Sequence, residues 1–255
     1  MATYALTGGA SGIGAALAEQ LRDDRHEVII VDIRNADVEA DLSSAEGRTV
    51  AVNAVKERAP GGLDGLVPLA GVAAASGHPP ALITALNYFG AVEVVEGLRG
   101  TVAQKNGSIV LLCSNSAAMA PHEAPLIEAL LSGDEAHAIA VTEQESNGLE
   151  YMAGKRALAY WMRRNAMGFA RDGVRMNAVA PGPIDSPMTE KLFEQPGMKE
   201  VVDSLLDATP IRRLGTAPEV ANAIRFLLSD ASAYVCGSVL FVDGGYDAAT
   251  RTDQL

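Results

Sequence analysis

The sequence predicts an α/β fold: a doubly wound parallel sheet of Rossmann type, with helices on both faces, in one domain spanning residues 1–255. Three observations carry that expectation. Short apolar runs alternate with helix-period stretches along the whole chain. The first apolar run ends in a glycine cluster that opens a helix. The chain has 255 residues, 48 % apolar and 20 % charged, an ordinary balance for a single α/β domain.

Tyr4-Ala5-Leu6 reads as the first strand and runs into Thr7-Gly8-Gly9-Ala10-Ser11-Gly12-Ile13-Gly14. The helix after it has an apolar face of Ala15, Ala16, Leu17, Ala18 and Leu21. Glu27–Val31 is the second strand and ends at Asp32, and Val38-Glu39 is a short extended piece. Ser43 and Glu46 have capping-box spacing for the next helix. Gly65–Leu69 is a strand that feeds Ala70-Gly71, where small residues leave room for a ligand. Pro79–Val102 reads as one long helix with Asn87 inside it, exposed or there for a reason, because its amide competes for backbone groups. Ser108–Cys113 is a buried strand, with Ser114 at its carboxyl end and Asn115 and Ser116 close by.

Residues 115–150 form a helical insertion: a loop at Pro121–Pro125, then helices at Leu126–Leu131 and Ala136–Glu145, broken at Ser132-Gly133. A further helix carries Tyr151 and Lys155. Arg175–Ala180 is a strand leading into Pro181–Met188. Residues 187–211 read as a helical substrate lid, broken at Gln195-Pro196-Gly197 and Thr209-Pro210. Thr216 and Glu219 cap the next helix, and Val239–Val242 is a final strand closed by Asp243-Gly244-Gly245.

The net charge of −12 argues against nucleic acid and anionic membranes as partners. Cys113 and Cys236 lie in apolar, strand-like runs, and two thiols make no disulfide framework. No apolar run is read as reaching the ~20 residues that cross a bilayer. Strand character from Tyr4 onward leaves no signal peptide, so a cytoplasmic location is expected. The four histidines, His26, His78, His122 and His137, show no paired ligand spacing, and no metal site is expected.

The chemistry is concentrated around Tyr151-Met152-Ala153-Gly154-Lys155. A phenol and an amine four residues apart share one helix face. Alone, the pair would read as a packed aromatic and a surface charge. The glycine loop changes that reading. Gly8, Ser11, Gly12, Ile13 and Gly14 precede a helix whose free N–H groups and dipole suit a pyrophosphate. Asp32 sits about 20 residues past the loop, where an acid accepts hydrogen bonds from a ribose and repels a 2′-phosphate. NAD(H) is therefore expected over NADP(H). Asp32 as a plain strand-end residue is the alternative. Asp41 either contacts adenine or adds charge before a helix start. Lys155 is expected to favour the Tyr151 phenolate. Tyr151 then exchanges a proton with an alcohol or ketone while Ser114 holds the substrate oxygen.

In this order and on these elements, the residues resemble the short-chain dehydrogenase/reductase family from end to end. The matching pieces are Thr7-Gly8 to Gly14, Asp32, Asn87, Ser114, Tyr151 with Lys155, Pro181-Gly182 and Asp243-Gly244-Gly245. Four features resemble the bacterial 3α-hydroxysteroid dehydrogenase/carbonyl reductase branch: the long segment 115–150, Leu69-Ala70-Gly71 in place of Asn-Ala-Gly, Asn87-Tyr88-Phe89-Gly90, and the tail Asp243–Ala248. The resemblance implies that Lys155 also binds the nicotinamide ribose and that Asn87 holds a proton-relaying water. It implies cofactor contacts at Ile33, Leu42, Ala70, Gly71, Pro181, Gly182 and Ile184, and at Ser186 through its hydroxyl. It also implies a homodimer, because the insertion covers the helix face other members use to form tetramers. The substrate expected is a small-molecule alcohol or ketone: a bulky apolar one such as a 3α-hydroxysteroid, or a terpene or aryl compound. An NAD-sensing protein without chemistry and a sugar-nucleotide epimerase are the competing readings. The first fits poorly with Tyr151 and Ser114 both present, the second with the short chain after Lys155.

Overall fold

In the computed structural model, the described residues are 1–73, 77–120, 124–145, 148–186, 189 and 197–253. Seven parallel strands form the main sheet in the order β3-β2-β1-β4-β5-β6-β9. They are β1 (Thr3–Thr7), β2 (Glu27–Asp32), β3 (Val38–Glu39), β4 (Gly65–Pro68), β5 (Ser108–Leu112), β6 (Arg175–Pro181) and β9 (Val239–Val242). A separate pair, β7 (Ile184–Asp185) and β8 (Gly215–Thr216), sits beyond β6. The order reverses between β1 and β4, which pair in parallel from Tyr4↔Gly65 to Thr7↔Pro68. In sheets of this kind, ligands bind outside the strands' carboxyl ends at such a reversal.

The strands are apolar on both faces, as a sheet covered by helices requires. Neighbours in sequence bury in opposite cores. Ala5, Ile29, Leu66, Ile109 and Ala178 face one side, where α2 (Ala45–Arg58), α4 (Gly90–Ala103) and α7 (Glu150–Arg171) pack. Leu6, Ile30, Val67, Val110 and Val179 face the other, against α1 (Gly12–Asp23) and a later helix at Ala217–Leu228. The insertion is α5 (Pro125–Leu131) and α6 (Glu135–Glu145), close to where the sequence put it. Leu126, Ile127 and Leu130 of α5 join the core beneath α7. The Thr142 hydroxyl of α6 lies 3.0 Å from that of Thr84, both buried.

Several sequence expectations need correction. The stretch read as one helix is α3 (Pro80–Thr84), a π turn (Ala85–Phe89) and α4. Together, Pro80–Ala103 is 24 residues long and apolar enough to cross a bilayer by length and composition, against the sequence reading; 61 % of its most apolar window is buried in the protein. The cap of α2 is Ser44, whose Oγ accepts from the Gly47 N–H, while Ser43 bonds Asp41 instead. Gly47 in the third position has no side chain to answer, so no capping box forms. Cys236 is exposed and lies before β9, outside any strand. Of the loop at 121–125, residues 121–123 lie outside the described residues, and Pro125 begins α5.

Of the lid, 187–188 and 190–196, with the break at Gln195-Pro196, also lie outside the described residues. What is described is α8 (Met198–Ala208), entered at Gly197 with φ +78° and left at Thr209. The capping box at Thr216 and Glu219 is present and opens α9 (Ala217–Leu228). After β9, Gly244 and Gly245 take φ of +67° and +90°, and α10 (Tyr246–Thr250) follows. The Asp243 carboxylate accepts from the Gly245 and Asp247 N–H groups at 3.0 and 2.8 Å.

A buried cation ties the insertion to the body. Arg48 of α2 is 2 % exposed. Its Nε donates to Glu93 of α4 at 2.7 Å and a terminal nitrogen donates to Glu135 of α6 at 3.2 Å. Removing the arginine strands two carboxylates that remain partly hydrated. Arg48→Ala should therefore cost roughly 2–4 kcal/mol, somewhat below a fully buried pair. Urea unfolding of the purified protein measures this; a change under about 0.5 kcal/mol, the scale of an ordinary surface substitution, would contradict it.

Candidate active site

The candidate side chains lie at or just beyond the strands' carboxyl ends or on the first turns of α7, except Asn87, which comes from the π turn between α3 and α4. The glycine loop closes the end of β1. Gly8 has φ +70°, and a Cβ there would meet the Ala70 nitrogen at 2.6 Å. Gly14 is packed onto the turn itself: its Cβ would fall 2.1 Å from the Gly8 oxygen. Gly12, at φ +53°, has nothing within 4 Å, so this side of the loop is open. Ser11 is the N-cap of α1, exposed and extended, and its side chain makes no capping bond. The first-turn N–H groups around Gly12 and Ile13 are thus left for a ligand.

Asp32 ends β2 as expected. One carboxylate oxygen accepts from the Ala10 N–H at 3.0 Å and the other from the Ile33 N–H at 2.7 Å. The acid therefore braces the glycine loop. A carboxylate offers about four acceptor positions, so about two stay open. Ile33 is exposed beside it and Leu42 is buried. The Asp41 carboxylate accepts from the Ser43 N–H at 2.9 Å and the Ser43 hydroxyl at 2.7 Å, and is otherwise exposed.

Leu69 is buried and makes no side-chain hydrogen bond; the strand end is held by Thr7 instead, whose hydroxyl accepts the Ala70 N–H at 3.1 Å. Sequence reasoning passed over that threonine. Gly71 also has a structural cause, since a Cβ would lie 2.9 Å from Asn87 Oδ1. Asn87 is 2 % exposed and sits in the π turn. Its Oδ1 accepts the Val72 N–H and its Nδ2 donates to the Val72 carbonyl, both at 2.9 Å. The side chain anchors the loop after β4, so its purpose mid-helix is settled.

Ser114, just past β5, is partly buried and caps a 3₁₀ turn at Asn115–Ala118. Tyr151 and Lys155 of α7 face it. The Tyr151 phenol stands close enough to the Ser114 hydroxyl for that side chain to lower its pKa. Lys155 is 4 % exposed, and its Nζ donates to the Leu112 carbonyl at 2.8 Å. That ammonium stands 5.8 Å from the Tyr151 ring centre.

The electrostatics differ from the expectation in one respect. Burial pushes the Tyr151 phenol above its ordinary value, and the influence that pulls it down is the Ser114 hydrogen bond rather than Lys155. Lys155 is itself brought down to about 8, by burial first. The neighbouring Cys113 thiol is pushed up to about 12 by burial, so it stays neutral at physiological pH and adds no charge to the site. A buried, neutral thiol is a poor nucleophile.

The far wall joins two sequence motifs. The Gly182 N–H donates to the Val242 carbonyl at 3.1 Å, and a Cβ on Gly182 would meet the Asp243 Cα at 2.9 Å. Pro181 and Ile184 are buried. The Ser186 hydroxyl accepts the Thr189 N–H at 3.3 Å. Two concavities flank the centre: one of about 440 Å³ near Ile184, Val220 and Phe241, and one of about 690 Å³ behind the glycine loop near Gly9 and Asp37. Neither is lined by Ser114, Tyr151 or Lys155.

Comparison with known proteins agrees with this arrangement. The family model for short chain dehydrogenases matches residues 2–126, and the model described as Enoyl-(Acyl carrier protein) reductase matches 135–247. A 3-alpha-hydroxysteroid dehydrogenase/carbonyl reductase of Comamonas testosteroni is 34 % identical over the full length of both chains. A cis-4-hydroxycyclohexanecarboxylate dehydrogenase of Sinomonas cyclohexanicum is also 34 % identical, over 95 % of each chain. The crystal structure of the 3-alpha-hydroxysteroid dehydrogenase of Pseudomonas sp. B-0831 with NADH superposes with a TM-score of 0.95, at 41 % identity, covering 99 % of this chain and 100 % of that one.

The loop geometry yields a direct test. Gly14→Ala drives a methyl into the Gly8 carbonyl. Nicotinamide-cofactor affinity, measured by fluorescence titration, should fall at least tenfold, about 1.4 kcal/mol. Unchanged affinity would show that the loop does not shape the cofactor site.

Proposed function

The chain belongs to the short-chain dehydrogenase/reductase family, and we propose that within it this protein is an NAD-dependent dehydrogenase that interconverts a secondary alcohol and a ketone on a bulky apolar ring system such as a 3α-hydroxysteroid. One observation carries the reading: the Lys155 ammonium is buried on the Leu112 carbonyl at the end of β5, one helical turn from Tyr151, and Ser114 stands two residues past that carbonyl, close enough to influence the phenol.

The residues present fit a dinucleotide. The uncapped start of α1 and the open side of Gly12 suit its pyrophosphate. The open acceptor positions of Asp32 suit two ribose hydroxyls and repel a 2′-phosphate, which supports NAD over NADP. When bound, the nicotinamide supplies the hydride acceptor or donor. The protein's own work is with protons. Lys155 has one proton on Leu112 and two left for the nicotinamide ribose. Ser114 holds the substrate oxygen. Tyr151 donates its proton to a ketone or, as phenolate, removes one from an alcohol. Burial holds the phenol's pKa above its ordinary value, and the Ser114 side chain counters only part of that. The positive charge of the oxidised cofactor would act in the same direction.

Ile33 and Leu42 are assigned to the adenosine end. Ala70, Gly71, Pro181, Gly182, Ile184 and Ser186 are assigned to the floor and rim of the nicotinamide end. A steroid substrate is supported by the full-length likeness to two 3-alpha-hydroxysteroid dehydrogenases. A second reading, a smaller non-steroid cyclic, terpene or aryl alcohol, is kept open by the relative of equal identity that acts on a single ring. Absorbance of NADH, with NADPH in parallel, over 3α-hydroxysteroids, terpene alcohols and aryl ketones separates them. Tyr151→Phe should lower kcat at least a thousandfold while NADH still binds, a loss at the upper part of the range for a general acid–base. Turnover by that variant would sink the assignment.

We further assign a homodimer in the cytoplasm, formed away from the insertion. The support is the outer edge of the sheet. Strand β9 ends the sheet and carries Leu240, 37 % exposed. An open apolar edge invites a second copy. Leu240→Asp should shift sedimentation toward a monomer; an unchanged dimer would place the interface elsewhere.

A further inference from the structure

We infer that Ser116 is a positioning residue that aims the Ser114 proton at the Tyr151 phenol. The inference rests on the proton-transfer role proposed for Tyr151. A hydroxyl carries one proton and two acceptor positions. Ser114 Oγ accepts from the Ser116 N–H at 3.2 Å and from the Ser116 hydroxyl at 2.9 Å. Both acceptor positions are then filled. The proton of Ser114 is then left to point into the site, where the Tyr151 phenol stands beside it and where a bound substrate oxygen would take it over. A hydrogen bond donated to the phenol favours its ionised form, and accepting a bond from Ser116 makes Ser114 a stronger donor.

The backbone explains why the second residue after Ser114 can reach back. Ser114 is extended, at φ −160° and ψ 152°, and the 3₁₀ turn at Asn115–Ala118 then folds Ser116 over it. A simple capping turn needs only the Ser116 N–H. The additional hydroxyl-to-hydroxyl bond is what fixes the direction of the Ser114 proton.

The far end of the turn is held as well. Arg156, one residue past Lys155 and 5 % exposed, donates from Nε to the Ala117 carbonyl at 2.7 Å and from a terminal nitrogen to the Ala118 carbonyl at 3.0 Å. Helix α7 therefore presents Tyr151 and Lys155 and also clamps the turn that supplies Ser116.

The test compares Ser116→Thr with Ser116→Val, which match in shape and differ in the hydroxyl, alongside Ser116→Ala. Ionisation of Tyr151 is read from phenolate absorbance in the NAD complex, as the difference between each variant and the same variant carrying Tyr151→Phe. The Val and Ala variants should titrate about half a unit to one unit higher than wild type, with kcat for alcohol oxidation at neutral pH about five- to tenfold lower and NADH affinity unchanged. Ser116→Thr should restore both. Equal midpoints for Thr and Val overturn the role of Ser116 and leave that of Tyr151 standing. Turnover by Tyr151→Phe alone overturns both.

Discussion

The structure depends most on one hydrogen bond across the carboxyl end of the sheet, from the buried Lys155 ammonium to the Leu112 carbonyl. An ammonium taken out of water is costly unless it keeps partners. Here the last carbonyl of β5 is such a partner, so the helix start and the strand end cannot drift apart without leaving a cation alone. Tyr151 is one turn upstream on that helix, and Ser114 is two residues downstream of that carbonyl. The contact that satisfies the lysine therefore also sets the distance between the phenol and the serine.

The remaining parts of the site are held by equally local means. Asp32 braces the glycine loop from the neighbouring strand, Thr7 ties β1 to β4, and Asn87 fastens the loop after β4 to the π turn. Each is a polar side chain spent on backbone N–H groups that a strand end would otherwise leave without partners. The result is a rigid shelf at the point where the strand order reverses.

The insertion changes the outside of the molecule more than the inside. Helices α5 and α6 cover α7 and α3 with apolar side chains, and Arg48 joins α6 to α2 and α4 through two carboxylates. A helix face that is covered in this way has no surface to offer a second copy, whereas the edge strand β9 does.

Much was determined by the sequence alone. The alternating strands and helices, the glycine loop, the position of Asp32 and the Tyr151–Lys155 spacing follow from periodicity and from residue types that tolerate few roles. The cap at Thr216 and Glu219 was legible because both partners lie within one turn. The cap of α2 was misread because Ser43 and Ser44 both stand before that helix, and only backbone direction chooses between them. Tertiary structure alone decided that Asn87 belongs to a π turn and spends its amide on Val72, that Lys155 rests on Leu112, and that Ser116 reaches back to Ser114. These pairings join residues to backbone atoms or to turn geometry. A main-chain carbonyl has the same appearance in every sequence, so its direction becomes known only once the chain has folded.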